Sequence, residues 1–317
     1  MPAQSLTDRF RAETERLTGA APASDRRLGL AVSGGPDSLA LLALAAEAYP
    51  GAVAAATIDH GLRPEAAAEA EHVAAICCRL DVPHAILAPE EPIGGNIQSA
   101  ARAARYALLE SWREDKGLGW IATAHHADDQ LETILMRLMR GSGVDGLSAI
   151  RPVNGAVIRP LLGMRKAELV AHVAKRDLEA VADPSNADLA FDRVRMREAL
   201  HDFPDFDPDR LARSVEALRD AAEALRWTAA REAEGHIESR DGAVRLDRTD
   251  YPGELLRRLV AICLERVDPG HRTRGPALDG VIDALSQGNK GTIGKILYFT
   301  ESPEIWCFSK APPRKTG

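Results

Sequence analysis

Leu28-Gly29-Leu30-Ala31-Val32-Ser33-Gly34-Gly35-Pro36-Asp37-Ser38 is the stretch that decides the fold. Leu28 to Val32 is a short apolar run and reads as a buried strand. Leu39 to Tyr49 is an apolar helix, and the segment between them is a glycine turn. Pro36 suits a helix start, where its missing N–H costs nothing. Successive backbone N–H groups at such a start form a nest for an anion, helped by the helix dipole. Gly34 and Gly35 let the backbone come close to a phosphate, and Ser33 and Ser38 add hydroxyls. Asp37 is out of place beside a phosphate unless it caps the loop or holds Mg²⁺. The loop has no Gly-Lys-Ser/Thr, so it is not a Walker A loop. The ligand to expect is ATP, reacting elsewhere than at its γ-phosphate. An ordinary strand-to-helix turn is the plain alternative.

The pattern repeats on the C-terminal side. Val53 to Ile58, His84 to Leu87 and Trp120 to Ala124 read as strands. Pro64 to Leu80, Asn96 to Lys116 and Ala127 to Arg140 read as helices, and Leu6 to Leu17 is a further helix at the start of the chain. Short apolar strands alternating with helices imply an α/β fold, a doubly wound parallel sheet covered on both faces. Ligands of such sheets bind at the carboxyl ends of the strands, near a switch point in strand order. The polar clusters at 33–38, 59–63 and 125–132 each follow a strand.

After Gly141 the texture changes. Ile158 to Leu162 is a short apolar piece, Met164 to Asp177 a helix, and Asp183-Pro184-Ser185-Asn186 a turn. Phe203-Pro204-Asp205-Phe206-Asp207-Pro208 interrupts any helix and is the best boundary. We therefore expect a domain over 1–205 and a smaller, mostly helical one over 206–317. The second should hold helices at Asp209 to Ala233, Glu254 to Val267 and Ala277 to Leu285. Two short strand-like pieces should flank Gly242, and a hairpin should close over Thr292 to Ser309.

The chain has 317 residues, which suggests two domains by the usual prior of about 100–200 residues each. Hydrophobic residues make up 45% and aromatic ones only 4%, so the core must rest on Ala, Leu, Val and Ile. A formal net charge of -7 argues against a general nucleic-acid coating protein, while leaving room for a local basic surface. The four cysteines form no Cys-x-x-Cys pair, and Cys77-Cys78 reads as two buried small hydrophobes. With no leader and no long apolar run, the expectation is a cytoplasmic protein with no membrane partner.

Four further clusters carry chemistry. Asp59-His60-Gly61-Leu62-Arg63 ends the second strand. There Arg63 can meet phosphate, and the backbone of Ala56 to Ile58 can read adenine; a structural role for His60 is the commoner one. Arg102 and Arg105 share a helix face, suited equally to an anionic ligand or to solvent. His125-His126-Ala127-Asp128-Asp129-Gln130-Leu131-Glu132 opens a helix, and Asp129 and Glu132 project together. These acids serve as caps, as a Mg²⁺ site or as an ammonium site. A basic stretch includes Arg137, Arg140, Arg151, Arg159, Arg165, Lys166, Arg193, Arg195 and Arg197, fit for a phosphate backbone or for solvation.

Taken together these residues resemble the N-type ATP pyrophosphatases, and within them the tRNA(Ile)-lysidine synthetases. The resemblance is carried by Ser33-Gly34-Gly35-Pro36-Asp37-Ser38, Asp59 to Arg63, Arg102 to Tyr106, His125 to Thr133 and Arg140-Gly141-Ser142-Gly143. Gly146-Leu147, Arg159-Pro160-Leu161-Leu162 and Asp183 to Asn186 add to it. It is dense over 28–200 and weaker beyond. It implies a Rossmann-like, adenine nucleotide α hydrolase-like domain and a C-terminal tRNA-binding region.

The implied reaction adenylates the wobble cytidine of the minor isoleucine tRNA, anticodon CAU, at its C2 oxygen and then joins L-lysine to it. The resemblance implies catalytic roles for Asp37, Arg105, His125, Asp129 and Glu132. ATP would lie on Ser33 to Ser38, Asp59, His60 and Arg63, with Mg²⁺ on Asp37 and Asp128. Substrates would meet Arg102, Arg105, Asp129, Glu132, Arg193, Arg195 and Arg197. Val194 stands where the family commonly has Asn. A homodimer stays open. A 2-thiocytidine-type thiolase would need Cys-x-x-Cys pairs, an amidotransferase a glutaminase, and a nucleotide sensor would leave the His-Asp-Asp-Glu cluster unexplained.

Overall fold

The computed structural model describes residues 4–59, 65–89, 97–148, 150–181, 195–196, 199–200, 206–271, 273 and 275–312. The chain divides into two compact units, 1–141 with 146–216 and 142–145 with 217–317.

The larger unit is built on a six-stranded sheet. Its strands are β1 (Leu28–Ala31), β2 (Val53–Ile58), β3 (His84–Leu87), β4 (Trp120–Ala122), β5 (Val153–Asn154) and β6 (Val157–Ile158). They lie in the order β3-β2-β1-β4-β6-β5. β1 pairs in parallel with β2 on one side and β4 on the other, with Leu28 opposite both Val53 and Trp120. Only β5 runs antiparallel, against β6. The central strands are apolar apart from Thr57 of β2, because both their faces are covered.

The helices of this unit are α1 (Leu6–Thr18), α2 (Pro36–Ala48), α3 (Ala66–Arg79), α4 (Ile97–Asp115), α5 (Ala127–Met139) and α7 (Lys166–Ala174), while α6 (Val144–Leu147) has residues in both units. On one face of the sheet, Phe10 of α1, Leu39 to Ala45 of α2, Val73 and Ile76 of α3, and Leu169 and Val173 of α7 share one core. α2 is apolar almost all round because it is enclosed by the sheet, α1 and α7. On the other face, Leu109 and Trp112 of α4 pack on Ala54, Ala56 and Ile121. Strand order reverses at β1, and the crossover helices change face with it.

Two sequence expectations are adjusted here. The helix after the glycine turn starts at Pro36, three residues before the apolar run, with Gly35 as N-cap. Cys77 is buried but Cys78 is exposed. Adjacent residues of a helix point about 100° apart, so both cannot face one core.

The smaller unit holds α9 (Gly253–Val267), α10 (Pro276–Ser286) and a five-stranded antiparallel sheet; α8 (Pro208–His236) runs from the larger unit into it. The sheet order is β7 (Ile237–Arg240), β8 (Ala243–Leu246), β11 (Ile305–Lys310), β10 (Ile296–Ser302) and β9 (Gly291–Ile293). Val244, Leu246, Trp306 and Phe308 meet Leu259, Val260, Cys263 and Leu264 of α9 in its core. The pieces flanking Gly242 and the hairpin over 292–309 are thus parts of one sheet.

Among the described residues no helix is long and apolar enough to cross a membrane. Gly29 shows how tightly β1 is held. A Cβ there would lie 2.6 Å from Ile121 Cδ1 and 2.8 Å from Trp112 Cζ3. Gly29→Ala should lower the unfolding free energy by about 1–3 kcal/mol through overpacking, read from the midpoint of urea denaturation.

Candidate active site

The carboxyl ends of β1, β2 and β4 open onto one cavity of about 700 Å³, a size that suits a nucleotide. Ser33, Gly35, Pro36, Asp37 and Ser38 form one wall. Ala56, Thr57 and Ile58 form another. Arg102, Arg105 and Tyr106 come from α4, and Thr123, Ala124, His125 and Asp129 from the β4–α5 connection. Glu69, Lys166 and Val181 also line it.

The glycine loop is shaped by its own hydrogen bonds. The Ser38 hydroxyl donates to the Gly35 carbonyl at 2.9 Å and accepts from Ser33 N–H at 3.2 Å. Gly34 has φ +85°, and a Cβ there would meet Val181 and Val73 at 3.1 and 3.2 Å. Its carbonyl accepts from Val181 N–H at 2.9 Å. Glycine is therefore required at 34 by both backbone conformation and space. α2 has no side-chain cap, and the N–H groups of its first turn, those of Asp37 and Ser38, have no use within a helix. Both residues line the cavity.

The start of α5 is organised by His126, which is 1% exposed. Its Nδ1 accepts from Asp129 N–H at 3.3 Å, while Asp129 Oδ2 accepts from His126 N–H at 3.0 Å, a reciprocal cap. That bond leaves the ring proton on Nε2, which faces Asp37 Oδ2 at 3.5 Å and Asp129 Oδ2 at 3.5 Å. Burial alone would lower the His126 pKa. The hydrogen bond to Asp37 and the charges of Asp129, Asp37 and Asp128 outweigh it, and the pKa is raised. His126 thereby ties the glycine loop to the acidic helix start. His125 lies beside it, with Nδ1 3.0 Å from Thr123 Oγ1.

Asp128 is committed differently from Asp37. Its carboxylate accepts from Arg165 Nε at 3.2 Å and from the Lys166 backbone N–H at 2.7 Å. Arg165 also donates to the Phe206 carbonyl at 3.0 Å and stacks 4.0 Å from the Phe206 ring centroid. These bonds fasten the start of α7 to the start of α5. Gln130 does similar work two residues further on, exchanging hydrogen bonds with Ile150 N–H at 2.8 Å and Ile150 O at 3.0 Å.

The remaining sequence candidates are placed as follows. Arg102 is exposed and lies 5.0 Å from the Tyr106 ring centroid. Glu132 is buried on α5, one turn beyond Asp129, and is not part of the cavity lining. Asp59 directly follows β2, its N–H donating to Leu87 O at 2.8 Å, and is also outside the lining. Arg195 is exposed; His60, Arg63, Arg193 and Arg197 lie outside the described residues.

The basic stretch divides, since Arg159 is buried and donates to Arg151 O at 2.7 Å, whereas Lys166 reaches the cavity. Glu69 has no motif to mark it. Lys166 was visible only as one basic residue among many.

For Mg²⁺ the donor chemistry fits at one point. Asp37 offers a hard carboxylate at the cavity beside the phosphate-directed loop, whereas the Asp128 carboxylate is held by Arg165 and Lys166 N–H. Among the described residues no cluster of three or more His, Cys, Asp or Glu is arranged around a metal position. Mg²⁺ in nucleotide sites takes one or two carboxylates plus phosphate and water, so such a cage is not required.

A helix start that offers backbone N–H groups to phosphate, from a loop with no lysine of its own, at the switch point of a doubly wound sheet, defines a nucleotide-binding domain. Residues 6–203 match the family model described as the PP-loop domain. The fold resembles that of the U34-tRNA thiolase NcsA from Methanococcus maripaludis, with TM-score 0.52 and 17% identity over 67% of this chain and 78% of that one. That likeness concerns the fold alone. The chain belongs to the tRNA(Ile)-lysidine synthase family. It is 43% identical to the tRNA(Ile)-lysidine synthase of Zymomonas mobilis, over 91% of this chain and 90% of that protein. It is 40% identical to that of Novosphingobium aromaticivorans, over 97% and 94%.

The Asp128 junction can be checked alone. Asp128→Ala leaves Lys166 N–H and Arg165 without their acceptor, and should cost about 1–3 kcal/mol of stability, measured by chemical denaturation.

Proposed function

We propose that this protein is an ATP-dependent ligase that forms lysidine on tRNA(Ile). The observation that carries the proposal is the single cavity into which the glycine loop, two α4 arginines and the acidic start of α5 all open. The relatives' name supplies the tRNA.

In this reading ATP lies with its β- and γ-phosphates on the loop of 33–38 and its adenine against the end of β2. The C2 oxygen of the wobble cytidine, in a CAU anticodon, attacks the α-phosphorus, and the bond to the β-phosphate oxygen breaks. Backbone N–H groups of the first α2 turn stabilise charge on the departing pyrophosphate. Asp37 would hold Mg²⁺ beside the loop, and the ion would supply Lewis-acid charge neutralisation when bound. Arg102 and Arg105 position the adenylate.

The ε-amine of L-lysine then bonds to C2, the C2–O bond breaks, and AMP leaves. The amine must shed a proton first. Asp129 and Glu132 form the anionic end that holds its ammonium form, and they are the acceptors for that proton. His126 keeps Asp37 and Asp129 together, so the metal-side and lysine-side carboxylates stay in fixed relation through both steps. Arg195 and its neighbours at 193 and 197 belong to the surface for the tRNA backbone. Residues 206–317 form the tRNA-binding region, set off from an ATP-using domain over 1–205.

The test is AMP release from ATP, followed with the minor isoleucine tRNA and L-lysine omitted in turn. AMP release should require both, and release unaffected by omitting both would refute the ligase reading. A second experiment separates lysine binding from metal binding. Glu132→Gln should raise the KM for L-lysine about tenfold, the effect of losing about 1.4 kcal/mol, with a smaller change for ATP. Equal changes in both would place Glu132 with the metal instead.

A further inference from the structure

The cavity contains a lysine that the glycine loop lacks. Lys166 lines it, yet lies well over one hundred residues along the chain from Ser33–Ser38. We infer that Lys166 is the cation for the β- and γ-phosphates of ATP, supplied to the loop from the start of α7. The inference rests on the ATP-cleaving reading of this site and assigns one of its binding groups.

The first support is position. α7 packs on α2, on the same face of the sheet as the helix that carries the loop, and the two share a core through Leu39, Leu42, Leu169 and Val173. Arg102 and Arg105 come from α4, whose core lies on the opposite face. The cavity therefore has a lysine on the loop's side and two guanidiniums across the sheet edge. A ligand with its polyphosphate on the loop meets Lys166 there, and the adenylate end meets the arginines.

The second support is how firmly the residue is placed. The Lys166 N–H is fixed to Asp128 Oδ2 at 2.7 Å. Asp128 Oδ2 lies 3.7 Å from His126 Nδ1, and His126 Nε2 faces Asp37 at 3.5 Å. The start of α7 is thus bonded to Asp128 at the start of α5, the helix whose cap His126 faces the loop's Asp37. Arg165, beside it, is spent on Asp128 and Phe206. Among the described residues no carboxylate forms an ion pair with the Lys166 ammonium.

The third support is charge. Asp37, Glu69 and Asp129 line the cavity and repel a polyphosphate, whereas the cations of the lining are Arg102, Arg105 and Lys166. With both guanidiniums across the sheet edge, Lys166 is, among the described residues, the lining cation on the loop's side. A compact ammonium suits a phosphate cluster as a point charge, the part that a Walker lysine plays from within its own loop.

Isothermal titration calorimetry of the full chain with inorganic pyrophosphate, ATP and AMP, each with Mg²⁺, tests the inference without turnover. Lys166→Ala should weaken pyrophosphate and ATP binding about tenfold or more and leave AMP binding within about twofold. Lys166→Arg, which keeps the charge, should restore most of the loss. Unchanged pyrophosphate binding in a folded Lys166→Ala protein overturns the inference, and so does an equal loss for AMP. Should Lys166→Ala fail to fold, Lys166→Met, which keeps the apolar stem, gives the same comparison. Wild-type protein that binds none of the three ligands overturns the ATP reading itself.

Discussion

β1 lies between β2 and β4, and the chain leaves it in both directions across the sheet. Everything functional in the larger unit depends on that placement. The helix following β1 covers one face of the sheet and the helix leading into β4 covers the other. Their connections cannot close over the strand ends between them, so a crevice is left there. The glycine loop and the β4–α5 turn open onto it because each directly follows one of these two central strands. Gly29, pressed against Ile121 and Trp112, and Gly34, in a backbone conformation closed to other residues, are the local conditions for that packing.

The crevice is then made into a site by a chain of polar contacts. His126 caps α5 and faces Asp37; Asp128 holds the first residue of α7; Arg165 ties the same carboxylate to Phe206. Each contact alone is modest. Together they fix three helix starts against one another, and helix starts carry the N–H groups and first-turn acids on which phosphate and ammonium chemistry depends. Asp37 and Asp128, alike in sequence as acids opening helices, are separated by this network. One lies at the cavity beside the loop, and the other is a joint between α5 and α7.

Sequence reading reached far into this unit because its signals are local. β2 spans Val53–Ile58 and β3 His84–Leu87 just as their apolar runs imply. Ser33–Ser38, Arg102, Arg105, His125 and Asp129 were legible because a glycine turn, an i to i+3 pair and a polar burst after a strand each show within a few residues. Cys78 was misjudged because apolar composition does not say which helix face a residue occupies. His126 was hidden by its neighbour, since two adjacent histidines look equivalent until one is buried as a cap.

What the sequence determined by itself was the alternation of strands and helices, the phosphate-directed loop and its missing lysine, all properties of consecutive residues. What only the tertiary structure decided was which distant groups share the cavity. Lys166 reads as one more basic residue of an arginine-rich stretch until α7 packs on α2. Asp128 reads as one acid among several until Arg165 and the Lys166 N–H bond to its oxygens. The physical reason is the same in both cases. A side chain's charge is written in the sequence, but its partner is chosen by packing between segments far apart in the chain.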